Sequence, residues 1–127
     1  MMFALLLALA AQPEAASVDA DCGGNTLQMV QCANRSFDRA DRELKLVWDE
    51  IAKALSDQDR RFDDHREPRL EIARTAHEAW LAFRDAQCAV EADSEARGGT
   101  MYPLIYIGCR TEMTRARVQQ LRPTLGN

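Results

Sequence analysis

Four cysteines, two histidines and twenty acidic residues are the groups in this chain of 127 residues that could ligate, attack or exchange protons. Cys22, Cys32, Cys88 and Cys109 are separated by nine, 55 and 20 residues. A four-thiolate zinc site is usually built from paired Cys-x-x-Cys knuckles, and these gaps contain none. An even count of dispersed cysteines in a small exported chain is instead the pattern of a disulfide framework. His65 stands in the run Asp63-Asp64-His65-Arg66-Glu67, where one imidazole among flexible acids has no fixed ligand geometry and reads as part of a solvated linker. Asp57 and Asp59 begin like a calcium loop, but Arg61 and Phe62 occupy the places of an oxygen ligand and the glycine. His77 lies three residues before Trp80, near the apolar face of its helix, and reads as structural. Ser36, Ser56 and Ser94 have no glycine-framed elbow around them. Acid pairs are frequent, yet hydrolysis by two carboxylates needs them held across a cleft. The residues therefore predict no enzyme, no metal site and no cofactor.

The N-terminus adds a compartment to this reading. Met1 to Ala11 is apolar, with Phe3, Leu5, Leu6, Leu7 and Leu9 among alanines, and is too short to span a bilayer. Ala8-Leu9-Ala10 and Ala15 to Ser17 offer small-residue cleavage sites, so residues 1–17 are expected to be a signal peptide and residues 18–127 the mature domain. No Lys or Arg precedes the apolar run, and Asp19-Ala20-Asp21 before Cys22 does not suit lipoprotein processing. Export to the periplasm or beyond the cell follows as an expectation, without stable membrane insertion after cleavage. The net charge of -4 would become -3 on losing Glu14 with the leader. That balance argues against nucleic acid, whose binders present basic surfaces.

The elements that must position the cysteines are helices. Leu27, Val30, Ala33, Phe37, Ala40, Leu44, Val47, Trp48, Ile51 and Leu55 recur at three- and four-residue steps, predicting a first helix from Asn25 or Thr26 to beyond Leu55. The charged segment from Ser56 to Glu67 ends it. Pro68 suits the first turn of a second helix, whose face is expected at Leu70, Ala73, Ala76, Trp80, Phe83 and Val90. Gly98-Gly99 and Pro103 mark a loop, and a third helix should start near Tyr102 or Leu104 and stop at Pro123. The expected fold is all-α, an antiparallel bundle of about three helices stapled by two disulfides, with Phe37, Leu44, Trp48, Trp80 and Phe83 in its core.

Folding the second helix back on the first gathers all four sulfurs at one end. Three pairings are then open. Cys22–Cys32 with Cys88–Cys109 is preferred, since Gly23-Gly24 lets Cys22 fold back; Cys32–Cys88 with Cys22–Cys109 is the alternative. The same register sets Asp41 opposite Arg84, predicting an interhelical, partly buried salt bridge.

These residues resemble the LprI-like lysozyme-inhibitor family of exported bacterial proteins. The resemblance rests on Asp21-Cys22, Thr26, Cys32, Asp41, Leu44 and Trp48, then on Ala79-Trp80-Leu81-Ala82-Phe83-Arg84-Asp85-Ala86-Gln87-Cys88, and finally on Gly98-Gly99-Thr100, Cys109, Met113-Thr114, Arg117 and Leu121. It covers Asp21 to Leu121. Lys45, Trp48 and His77 depart from the family's usual Asn, Tyr and Gln. Because some members carry only the first cysteine pair, the resemblance implies that Cys22 bonds to Cys32. It also implies export, a helical fold, and inhibition of lysozyme by direct protein–protein contact. The loop containing Gly98, Gly99, Thr100, Met101 and Tyr102 is the expected contact surface, with the acidic linker Asp57 to Glu67 as a second. The alternative function is a cell-envelope assembly or stress protein that does not inhibit lysozyme.

Overall fold

The computed structural model describes residues 22–125; the expected signal peptide, residues 1–17, lies outside them. Three helices form, α1 (Thr26–Arg61), α2 (Arg69–Ala96) and α3 (Tyr102–Leu121), followed by a short 3-10 turn at Arg122–Leu125. No strand occurs among the described residues. None of these helices is long and apolar enough to cross a membrane.

Specific contacts hold the start of α1 and the two interhelical corners. Asn25 caps α1: its side-chain oxygen accepts from the Gln28 N–H at 2.9 Å, and its own N–H donates to the Gln28 side chain at 3.0 Å. This reciprocal pair satisfies two of the donors that every helix start leaves free. The start of α2 is capped from elsewhere, because Pro68 has no side-chain acceptor. Asp59, in the last turn of α1, accepts from the backbone N–H groups of Arg69 at 2.9 Å and Leu70 at 3.1 Å. One carboxylate thus closes the α1–α2 corner. At the other corner Gly98 takes a left-handed conformation (φ 70°), which lets the Gly99 N–H return to the Ala96 carbonyl at 2.8 Å.

The Leu70 N–H, opposed by desolvation and helped by Arg69, holds the Asp59 carboxyl below its ordinary 3.8. With the folded value below the unfolded one, the stabilisation is present above about pH 4 and is lost as pH falls through the folded value. Asp59→Asn should therefore melt at a lower temperature than the parent at neutral pH, with the gap closing as the solution is acidified. A gap that stays constant down to about pH 2 would show that the charge plays no part in the cap.

The helices run alternately, and α3 packs on both α1 and α2. Leu44, Val47 and Val118 are the buried heart, with Ile51, Trp80, Leu81, Leu121 and Leu125 against them. Toward the other end the buried positions are small: Cys32, Ala40, Cys88, Ala92 and Cys109, with Ile107. The disulfides are Cys22–Cys32 and Cys88–Cys109, with Cα atoms 5.4 and 5.5 Å apart. The first folds the N-terminal segment onto α1, and the second ties α2 to α3 across their loop.

One expected core residue is misplaced. Leu44 is buried, and Phe37, Trp48 and Trp80 are half-buried, but Phe83 is 56% exposed. Ala76 and Val90, expected on the same face, are exposed as well. The face that α2 buries runs through Ala73, His77, Trp80, Arg84, Cys88 and Ala92. At about 100° per residue, Phe83 lies roughly 120° around the helix from the middle of that face. Alanine and large apolar residues occur nearly all round α2, so periodicity alone did not choose between them.

Candidate functional site

Three places in the bundle have chemical character, and each is built by different elements. The first is a charged knot where all three helices meet. Arg84, only 4% exposed, donates through Nε to Asp85 at 2.9 Å and through a terminal nitrogen to the Thr114 hydroxyl at 3.2 Å. Arg110 of α3 donates to the same Asp85 oxygen at 2.9 Å. The Phe37 ring lies beneath both guanidiniums, 5.2 Å from Arg84 and 4.1 Å from Arg110. Burial pushes the Asp85 carboxyl up, but the hydrogen bonds from Arg84 and Arg110 outweigh it and hold the pKa below the ordinary 3.8. Asp41 does face Arg84, at 3.7 Å, but its side chain is 52% exposed. The pair expected from the register is thus the outer edge of a network centred on Asp85. Side chains of neighbouring residues on a helix point in different directions, so the sequence carries no sign that Asp85 is the counter-ion of Arg84. Arg110 and Thr114, one turn apart on α3, were the signal for the rest. The knot has satisfied partners throughout and reads as structural.

The second place is the outside of α2. Ile72, Ala76, Ala79, Phe83, Ala86 and Val90 recur at alternating steps of four and three and are all exposed. Ile72, Phe83 and Val90 remain 55%, 56% and 63% accessible. None of the six is charged, nor are Thr75 and Ala82 beside them. The stripe is about 27 Å long, at 1.5 Å per residue. Its end meets the expected contact loop: Ala89, Val90, Asp93, Ser94 and Tyr102 line one shallow depression. Within that loop Gly98, Gly99, Thr100 and Met101 are exposed, while Tyr102 is half-buried and stacks near Tyr106 with ring centroids 6.2 Å apart. Alternating four- and three-residue spacing is the pattern of a helix seam. It was legible in the sequence, where reading Phe83 as core concealed it.

The third place is a cleft at the end of the bundle away from the α2–α3 disulfide, lined by Trp48, Ile51, Leu55, His77, Arg117 and Leu125 among others. Trp48 and His77 stack face to face, with centroids 4.3 Å apart and planes 6° from parallel. Burial, and then the charge of Arg117, lower the His77 pKa from its ordinary 6.5. The imidazole is therefore neutral at neutral pH.

The acidic linker is largely self-neutralised. Asp57 pairs with Arg60, and Asp59 and Asp64 pair with Arg69. The His65 side chain is 91% exposed. Among the described residues no group of three or more His, Cys, Asp or Glu is placed to hold a metal ion.

These features define a class: small all-helical proteins stapled by two disulfides, with an uncharged apolar strip left open on one helix. Within it, the chain belongs to the LprI lysozyme-inhibitor family, whose sequence model, described as lysozyme inhibitor LprI, matches residues 18–121. An uncharacterized protein of Rhizobium meliloti (strain 1021) is 34% identical over 123 residues, spanning 93% of this chain and 88% of that one. No solved structure matches the chain.

Proposed function

We propose that this chain is an exported, non-enzymatic binding protein, made with a signal peptide over residues 1–17, that inhibits lysozyme by direct contact. The outer face of α2 and the adjoining loop, Gly98 to Tyr102, form the docking surface. The observation that carries this reading is the exposed, uncharged stripe through Ile72, Phe83 and Val90. Leaving large apolar side chains in water on an otherwise charged domain is the usual mark of a partner surface. The Cys88–Cys109 disulfide holds α2 and the loop in one orientation, which lowers the ordering cost of association. Membership of the lysozyme-inhibitor family supports lysozyme as the partner. The charged linker is a poor rival, because three of its five acids, Asp57, Asp59 and Asp64, already hold arginines of the same chain.

The test is a titration of lysozyme activity with the oxidised mature protein. Inhibition at micromolar protein is expected, and Phe83→Asp should weaken it by roughly tenfold or more, the effect of losing a central aromatic anchor. Because Phe83 is exposed, the melting temperature of that variant should be nearly that of the parent. If the parent protein inhibits no lysozyme type at micromolar concentration, the proposal fails.

A further inference from the structure

Arg117 is in an unusual position for an arginine of this bundle. Three other arginines that are buried or half-buried each hold a carboxylate: Arg69 with Asp59 at 3.4 Å, and Arg84 and Arg110 with Asp85 at 2.9 Å. Half-buried Arg117 holds none among the described residues. Its partners are the side-chain oxygen of Gln120 at 3.1 Å and the face of Trp80, 5.4 Å from the ring centroid. Its Nε is buried without a hydrogen-bond partner, and so is Nδ1 of His77 beside it. Unpaired buried polar groups are costly, and a half-desolvated cation favours an anion more strongly than an exposed one does.

Both side chains border the same cleft of about 260 Å³, whose other walls are Trp48, Ile51, Leu55 and Leu125. Those walls continue the Leu44–Val47–Val118 core outward, so the cleft is an unfilled end of the core that opens to solvent. An unfilled apolar space beside a cation without a counter-ion has a definite complement. We infer that this cleft binds a short aliphatic carboxylate, its chain against Trp48, Ile51 and Leu55 and its carboxylate accepting from the Arg117 guanidinium. A cleft of about 260 Å³ has room for an aliphatic chain of several carbons beside the guanidinium. Neutral His77 supplies a flat wall with Trp48 and adds no charge that would compete for the anion. The cleft borders the outer α2 stripe at Ala76, but its cation, Arg117, belongs to α3, and neither reading depends on the other.

Octanoate is the probe, with 1-octanol as its uncharged counterpart, followed by calorimetry and by NMR of the Trp48 indole and His77 ring signals in the oxidised protein. Octanoate should perturb both rings saturably and bind about tenfold more tightly than octanol, the effect of about 1.4 kcal/mol from a charge-assisted contact. Arg117→Gln should remove that preference while leaving octanol binding unchanged. Ala73→Leu, which narrows the cleft from α2 without touching Arg117, should weaken both ligands. Equal affinity for octanoate and octanol, undiminished octanoate binding by folded Arg117→Gln, or absence of saturable shifts at Trp48 and His77 would each overturn the assignment.

Discussion

Replacing Arg84 by Met should lower the stability of the protein by about 2–3 kcal/mol. Deleting one member of a fully buried ion pair costs about 3–5 kcal/mol, because the partner is left charged and unpaired. Here the orphan would be Asp85, which is 42% exposed and keeps Arg110, so the cost falls below that range. The Thr114 hydroxyl, fully buried, would lose its donor as well. Met fills much of the space against Phe37 and Trp80, so the loss measured is chiefly electrostatic. In thermal unfolding the change amounts to roughly 9–14 °C for a domain of this size. Asp41→Ala is the informative control. At 3.7 Å from Arg84 and half exposed, Asp41 should contribute no more than about 0.5 kcal/mol. If the two variants proved equally destabilised, Asp41 and not Asp85 would be the principal counter-ion. An unchanged melting temperature for Arg84→Met would remove the knot from the account of stability altogether.

Removal of the Cys88–Cys109 bond by double substitution to Ala should cost about 3 kcal/mol from the released unfolded chain alone, for a bond between residues 21 apart. Both sulfurs are buried, and the space left behind adds to that cost. The corresponding change at Cys22 and Cys32 closes a shorter loop, with a separation of 10, and Cys22 is only half-buried. It should therefore be the milder of the two by about 1 kcal/mol. Urea titrations of the two double variants against the parent test this order, which would be wrong if loss of Cys22–Cys32 proved the more costly. The consequence reaches the proposed docking surface. The Cys88–Cys109 bond holds the α2–α3 corner, and the Gly98–Tyr102 loop lies inside the span it closes. Its loss should weaken lysozyme inhibition even under conditions where the bundle remains folded.

Much of the architecture was legible in the residues. The start of α1 is written in Asn25 and Gln28, the start of α2 in Pro68, and the α2–α3 turn in Gly98-Gly99. The disulfide pairing preferred from the helical order is the one the structure has. The candidate surfaces were less legible. The Gly98–Tyr102 loop could be named from its composition, but its continuity with the α2 stripe through Val90 could not. Phe83 was misread as core because α2 carries apolar residues on two faces, and an isolated period cannot rank them. The cleft beside Arg117 left no linear trace, since its walls come from three helices and the final turn.

By itself, the sequence determined the three helices and favoured one of three cysteine pairings, because each depends on contacts between residues near in the chain or on the order of elements along it. The tertiary structure alone decided which face of α2 turns inward, which acid neutralises Arg84, and that Arg117 is left beside an unfilled apolar space without a counter-ion. Those outcomes depend on the rotation of each helix about its own axis, and only the simultaneous packing of all three sets that rotation.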